Sequence, residues 1–86
     1  MLETALKVLN IIEDNSYEAY IVGGFVRDYV MGIKSNDVDI TTNARPKDLI
    51  KIFPNANIDN EVYGSVTVYL NNIRFEITTY RDEGNY

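Results

Sequence analysis

Residues Ala19–Thr42, AYIVGGFVRDYVMGIKSNDVDITT, decide the fold. The run Tyr17–Val22 carries aromatic and β-branched residues towards its end, which predicts a strand. Gly23 and Gly24 follow at once and end it. Phe25–Met31 then reads as a short helix, with Phe25, Val26, Tyr29 and Val30 as its apolar surface and Gly32 as its stop. Beyond the polar connector Lys34–Asn36, Val38–Thr42 reads as a second strand. Period-two geometry places Asp37, Asp39 and Thr41 on one face of that run and Val38 and Ile40 on the other.

Upstream, residues 2–13 have the spacing of an amphipathic helix, with Leu2, Ala5, Leu6, Leu9 and Ile12 on its apolar side and Val8 beside them. Asp14-Asn15-Ser16 ends it. Downstream, Asn43-Ala44-Arg45-Pro46 predicts the start of a third helix, capped by Thr42 or Asn43, with Pro46 in its first turn. Leu49, Ile50, Ile52 and Phe53 form its buried side, and Pro54 closes it. Asn55–Asn60 reads as a loop with Ile58 in a short strand. Ser65–Leu70 and Ile73–Tyr80 then read as a hairpin around Asn71-Asn72. In the second of these strands Arg74, Glu76, Thr78 and Tyr80 share one face and Ile73, Phe75, Ile77 and Thr79 the other. Arg81–Tyr86 reads as the start of a polar loop. Helices alternate with strands early and a hairpin comes late, so the fold class is α/β (α+β), a mixed β-sheet with flanking helices.

Composition narrows the chemistry. The chain has 86 residues, a size for one domain. Cysteine and histidine are both absent. Disulfides, thiolate catalysis, Cys-based zinc sites and a histidine general base are excluded together. Oxygen ligands remain, and they favour a hard ion such as magnesium. With 8 Lys+Arg against 13 Asp+Glu, the net charge of −5 makes this a poor nucleic-acid binder by itself, because phosphate neutralisation drives such affinity. No apolar run is long enough to span a membrane, and the N-terminus lacks a basic-then-apolar leader, so a cytoplasmic location is expected.

Two carboxylates at i and i+2 on one strand face point the same way, an arrangement that suits a divalent cation in front of them. It also suits a solvent-facing strand. A glycine pair between strand and helix leaves room for a phosphate at the backbone amides, and it equally suits an ordinary turn. Arg27, one turn further on, offers bidentate donors to a phosphate. Asp28 reads as its structural partner. Glu76 is the candidate third carboxylate if its strand neighbours the Asp37–Asp39 strand, and otherwise a surface residue.

Taken in order, VGGFVRDYVMGIKSNDVDITTNARP resembles the signature of class II tRNA nucleotidyltransferases (CCA-adding enzymes) and the similar bacterial poly(A) polymerases, within the DNA polymerase beta nucleotidyltransferase superfamily. The matching residues are Gly23, Gly24, Val26, Arg27, Asp28, Gly32, Asp37, Asp39, Thr42 and Pro46. The resemblance continues through YGSVTV at Tyr63–Val68 and FEITTYR at Phe75–Arg81, with Phe25, Ser65 and Tyr80 as departures. It implies a nucleotidyltransferase head fold in which Asp37 and Asp39 ligate catalytic Mg2+ and Gly23, Gly24 and Arg27 hold the triphosphate of CTP or ATP. It implies attack of a tRNA 3′-hydroxyl on the α-phosphorus, with pyrophosphate leaving and Glu76 as a further catalytic acidic group. Family members run on into a flexible loop, an RRD-type motif, a base-selecting helix and tRNA-holding helical domains. Residues 1–86 are therefore expected to be the N-terminal part of the catalytic head, inactive alone, with an exposed sheet edge open to self-association. The alternatives are a poly(A) polymerase head and a non-catalytic small nucleotide-binding module.

Overall fold

The computed structural model describes residues 1–80. The elements in chain order are α1 (Leu2–Asp14), β1 (Ala19–Val22), α2 (Phe25–Val30), β2 (Asp37–Thr42), α3 (Pro46–Ile52), a 3-10 turn (Glu61–Tyr63), β3 (Ser65–Leu70) and β4 (Ile73–Thr79). They follow the expected order and class. The polar tail Arg81–Tyr86 lies outside the described residues.

The four strands form one sheet in the order β1-β2-β4-β3. β1 pairs antiparallel with β2, β2 parallel with β4, and β3 antiparallel with β4. The hairpin turn fixes the last register. Asn71 and Asn72 both have positive φ, 52° and 64°, the backbone of a two-residue turn whose twist matches the strands. Leu70 therefore faces Ile73, Val68 faces Phe75 and Thr67 faces Glu76.

Alternation then sorts the side chains. Val38, Ile40, Val66, Val68, Phe75 and Ile77 are buried on one face, against Ala5, Val8 and Ile12 of α1 and Leu49 of α3. Burying such side chains contributes about 1.5–3 kcal/mol each. The opposite face carries Asp37 and Asp39 from β2, Arg74 and Glu76 from β4, and Thr67 and Tyr69 from β3.

Several local readings need correction. In α1 the buried face is rotated: Leu6 is 46% exposed, whereas Thr4 is buried and its hydroxyl accepts a hydrogen bond from Asn71 Nδ2 at 3.3 Å. In α2 only Phe25 is buried, its ring stacked on Tyr29. Val26, Tyr29 and Val30 are exposed, because this six-residue helix packs mainly against the ends of β1 and β2. The start of α3 is held by Asp48, whose carboxylate accepts the Arg45 backbone N–H at 3.2 Å. Thr42 and Asn43 instead secure the lead into β1. Thr42 Oγ1 donates to the Glu18 carbonyl at 2.6 Å and accepts from Ala44 N–H, and Asn43 Oδ1 accepts from Glu18 N–H. β1 is accordingly shorter than the sequence suggests, starting at Ala19.

Ile58 is not in a strand. The bridge next to it runs from Asn57 to Thr67 through paired backbone hydrogen bonds of 2.8 and 3.0 Å. It occupies part of the outer edge of β3, one of the two edges of the sheet. No helix among the described residues is long and apolar enough to cross a membrane.

Candidate metal and phosphate site

The site grows from the end of β1. Gly23 has φ of +77°, a backbone region that side chains disfavour, and it turns the chain sharply out of the sheet. The register places Val22 beside Asp39, so the turn lies directly over that carboxylate. A Cβ on Gly23 would stand 3.2 Å from Asp39 Oδ2. Gly24 has ordinary φ, yet a Cβ there would lie 2.7 Å from a terminal guanidinium nitrogen of Arg27. The pair thus lets bare backbone pass between the Asp39 carboxylate and the Arg27 guanidinium.

Arg27 is largely exposed and folds back over the turn. Its Nε and Nη2 both donate to Asp28 Oδ1 at 3.3 Å, which fits the reading of Asp28 as the residue that orients it. Asp37 and Asp39 occupy one face of β2, both exposed, as the alternation requires. Ser35 braces the strand start, its hydroxyl donating to the Asp37 carbonyl at 3.1 Å.

Glu76 is on this face too, directly beside Asp39 in the parallel register. Its carboxylate, however, is engaged from β3 and from its own strand. Ser65 Oγ donates to Oε2, Thr67 Oγ1 donates to Oε1 at 2.9 Å, and Arg74 Nη2 donates to the same oxygen at 3.0 Å. Among the described residues no group of three acidic, histidine or cysteine side chains converges as a metal site. The structure brings together Gly23, Gly24, Arg27, Asp37 and Asp39, and sets Glu76 beside them with its charge already shared.

The donor set fits a hard divalent cation. Two exposed carboxylates lie one pleat repeat apart on a strand, and the Asp39 side chain has no hydrogen bond or ion pair among the described residues. The side-chain-free turn beside Asp39 leaves space for further oxygen ligands, which such ions require.

Sequence reasoning missed Ser65, Thr67 and Arg74. The alternation Ser65-Val66-Thr67-Val68 and the two-residue hairpin loop would have placed Thr67 against Glu76, but the burial of both hydroxyls was not legible.

Comparison with known proteins matches the fold that carries these residues. A CCA-adding enzyme of Staphylococcus aureus (strain bovine RF122 / ET3-1) is 44% identical over all 86 residues, which cover 22% of that protein. The chain thus spans about a fifth of the length of the curated relatives it matches. The crystal structure of the Bacillus stearothermophilus CCA-adding enzyme in complex with CTP superposes with a TM-score of 0.78 at 38% identity, over 93% of this chain and 20% of that one. A tRNA nucleotidyltransferase complexed with a primer tRNA and an incoming ATP analog gives a TM-score of 0.66 at 28% identity, over 92% of this chain and 24% of that one. Residues 19–86 match the poly A polymerase head domain, and the chain belongs to that family of nucleotidyltransferase head domains.

Proposed function

We propose that residues 1–86 are the N-terminal part of the catalytic head of a CCA-adding tRNA nucleotidyltransferase, which extends tRNA 3′ ends from CTP and ATP with release of pyrophosphate. One observation carries the reading: the Gly23-Gly24 turn runs bare between the Asp39 carboxylate and the Arg27 guanidinium. A metal-bound triphosphate needs an anionic cradle for the ion, a cationic hand for the phosphates and backbone close to both. The relatives named as CCA-adding enzymes, and the neighbours bound to CTP or to tRNA with an ATP analog, support that substrate class.

In this reading Asp37 and Asp39 hold Mg2+. When bound there, the ion lowers the pKa of the attacking hydroxyl and neutralises charge on the triphosphate. The chain's own residues supply position. Gly23 admits the phosphates beside Asp39. Gly24 lets Arg27 lie over the turn, where its guanidinium can grip phosphate oxygens once it leaves Asp28. Glu76 adds acidic character to the same sheet face. The enzyme works in the cytoplasm, and the tRNA is held mainly by parts of the natural protein outside these residues.

The family is named for poly(A) addition, so a poly(A) polymerase head is the second reading. Incubating the protein at its natural length with CTP, ATP and either tRNA lacking CCA or an oligo(A) primer separates the two. The expected product is ordered addition of C, C and A to the tRNA, with little extension of oligo(A). Long A tracts on either primer would favour the second reading. Ordered CCA addition by residues 1–86 alone would contradict the assignment of this chain as one part of a larger site.

A further inference from the structure

Among the described residues, Arg74 is the cation on the acidic face of the sheet to which the proposed function gives no role. β4 runs parallel to β2 with Arg74 directly beside Asp37. Its backbone N–H donates to the Asn36 carbonyl at 2.7 Å, so strand pairing extends to the residue before β2 and fixes that juxtaposition. The side chain then reaches two carboxylates. Nη2 donates to Glu76 Oε1 at 3.0 Å, and Nη1 stands 3.9 Å from Asp37 Oδ1.

The two contacts are unequal in kind. Glu76 is about one-fifth exposed and is fixed on β3 by Ser65 and Thr67, whose own side chains are buried. Asp37 is mostly exposed, and its distance from Arg74 exceeds that of a hydrogen bond. The guanidinium is therefore anchored at its Glu76 end and leans on Asp37 through charge alone. A charge so placed acts on whatever else Asp37 binds.

We propose that Arg74 is a positioning residue that sets how tightly the Asp37–Asp39 pair takes a divalent cation, with Glu76, Ser65 and Thr67 as the mount that holds it in place. The inference rests on the reading of Asp37 and Asp39 as the metal pair. Arg74 shares the Asp37 carboxylate with the ion and so weakens its hold. It also offsets the repulsion between the carboxylates when the ion leaves, which favours release of the metal together with pyrophosphate. The role of Glu76 is then to fix a cation beside the site.

The test is Mn2+ binding to the protein at its natural length, followed by electron paramagnetic resonance, with Asp39→Asn as the blank that isolates this site. A positive charge about 6 Å from a divalent ion at the surface changes its affinity by about three- to tenfold. Arg74→Gln is expected to tighten Mn2+ binding by that factor, and the gain should shrink in high salt. Arg74→Met, which keeps the stem packed on the sheet, should show the same gain and covers the case in which the amide disturbs folding. Arg74→Lys should return the affinity towards the wild-type value, which a purely structural role does not predict. Unchanged or weaker Mn2+ binding in both neutral variants, with the Asp39-dependent site intact in the wild type, overturns this inference alone. A wild-type protein with no Asp39-dependent Mn2+ binding overturns it together with the metal-site reading beneath it.

Discussion

Replacing Asp39 with Ala is expected to abolish nucleotide incorporation, by about a thousandfold or more, while the melting curve stays where it was. The two halves of that statement have separate causes. Asp39 is exposed on β2 and its carboxylate has no hydrogen bond or ion pair among the described residues, so this side chain contributes little to the fold. Exposed substitutions away from such features usually stay within about 0.5 kcal/mol. Losing half of a metal cradle removes several kcal/mol of transition-state stabilisation, and each 1.36 kcal/mol is a factor of ten in rate. Asp37→Ala should behave alike, with a slightly larger effect on stability because Arg74 loses a neighbour at 3.9 Å. Single-turnover extension of tRNA lacking CCA, paired with a thermal melt of each variant, reads both quantities. Turnover within tenfold of wild type would remove these carboxylates from the metal site.

Phe75→Ala should do the opposite and lose the fold first. Phe75 is fully buried in β4, between Val38 on β2 and Val68 on β3. Phe-to-Ala changes in such positions cost about 3–5 kcal/mol, from lost transfer energy and from the cavity left behind. A domain of this size has only about 5–15 kcal/mol in total. Each kcal/mol moves the midpoint of a domain of 60–100 residues by about 4–8 °C, so a drop of roughly 12–40 °C is expected in a thermal melt. The same strand carries Arg74 and Glu76 on its other face, so activity should fall together with the fold as temperature rises. A shift under about 5 °C would mean that the β4 core face is not the centre of packing.

What could be read ahead of the structure follows from which information is local. Alternation in Asp37–Thr42 and Ile73–Thr79 settled which side chains share a face, and the Asn71-Asn72 turn settled the hairpin register. The order of Gly23, Gly24, Arg27, Asp37 and Asp39 along the chain was enough to bring these candidate residues to one end of the sheet, because β1, its turn and β2 are consecutive neighbours. The rotation of α1 was not legible. Apolar residues at Leu2, Ala5, Leu6, Val8, Leu9 and Ile12 wrap much of the helix, so the pattern alone does not choose the edge that meets the sheet. The edge that is buried packs Ala5, Val8 and Ile12 on the sheet and sets Thr4 against Asn71, a partner 67 positions away. The exposed side of α2 was misread for a related reason, since a short apolar pattern says nothing about whether a neighbour stands against it. The engagement of Glu76 was hidden because it needs the parallel β2–β4 pairing and two buried hydroxyls on β3 at once.

The proposed function requires Gly23-Gly24, Asp37 and Asp39 to form one metal and phosphate cradle on the end of this sheet. Paramagnetic broadening of backbone amide signals by sub-stoichiometric Mn2+ tests it most directly. The expected result is broadening centred on the Gly23, Gly24, Asp37 and Asp39 signals, competed away by excess Mg2+, with α3 least affected. Broadening that is uniform over the chain, or that centres elsewhere and leaves Gly23 and Asp39 sharp, would contradict it.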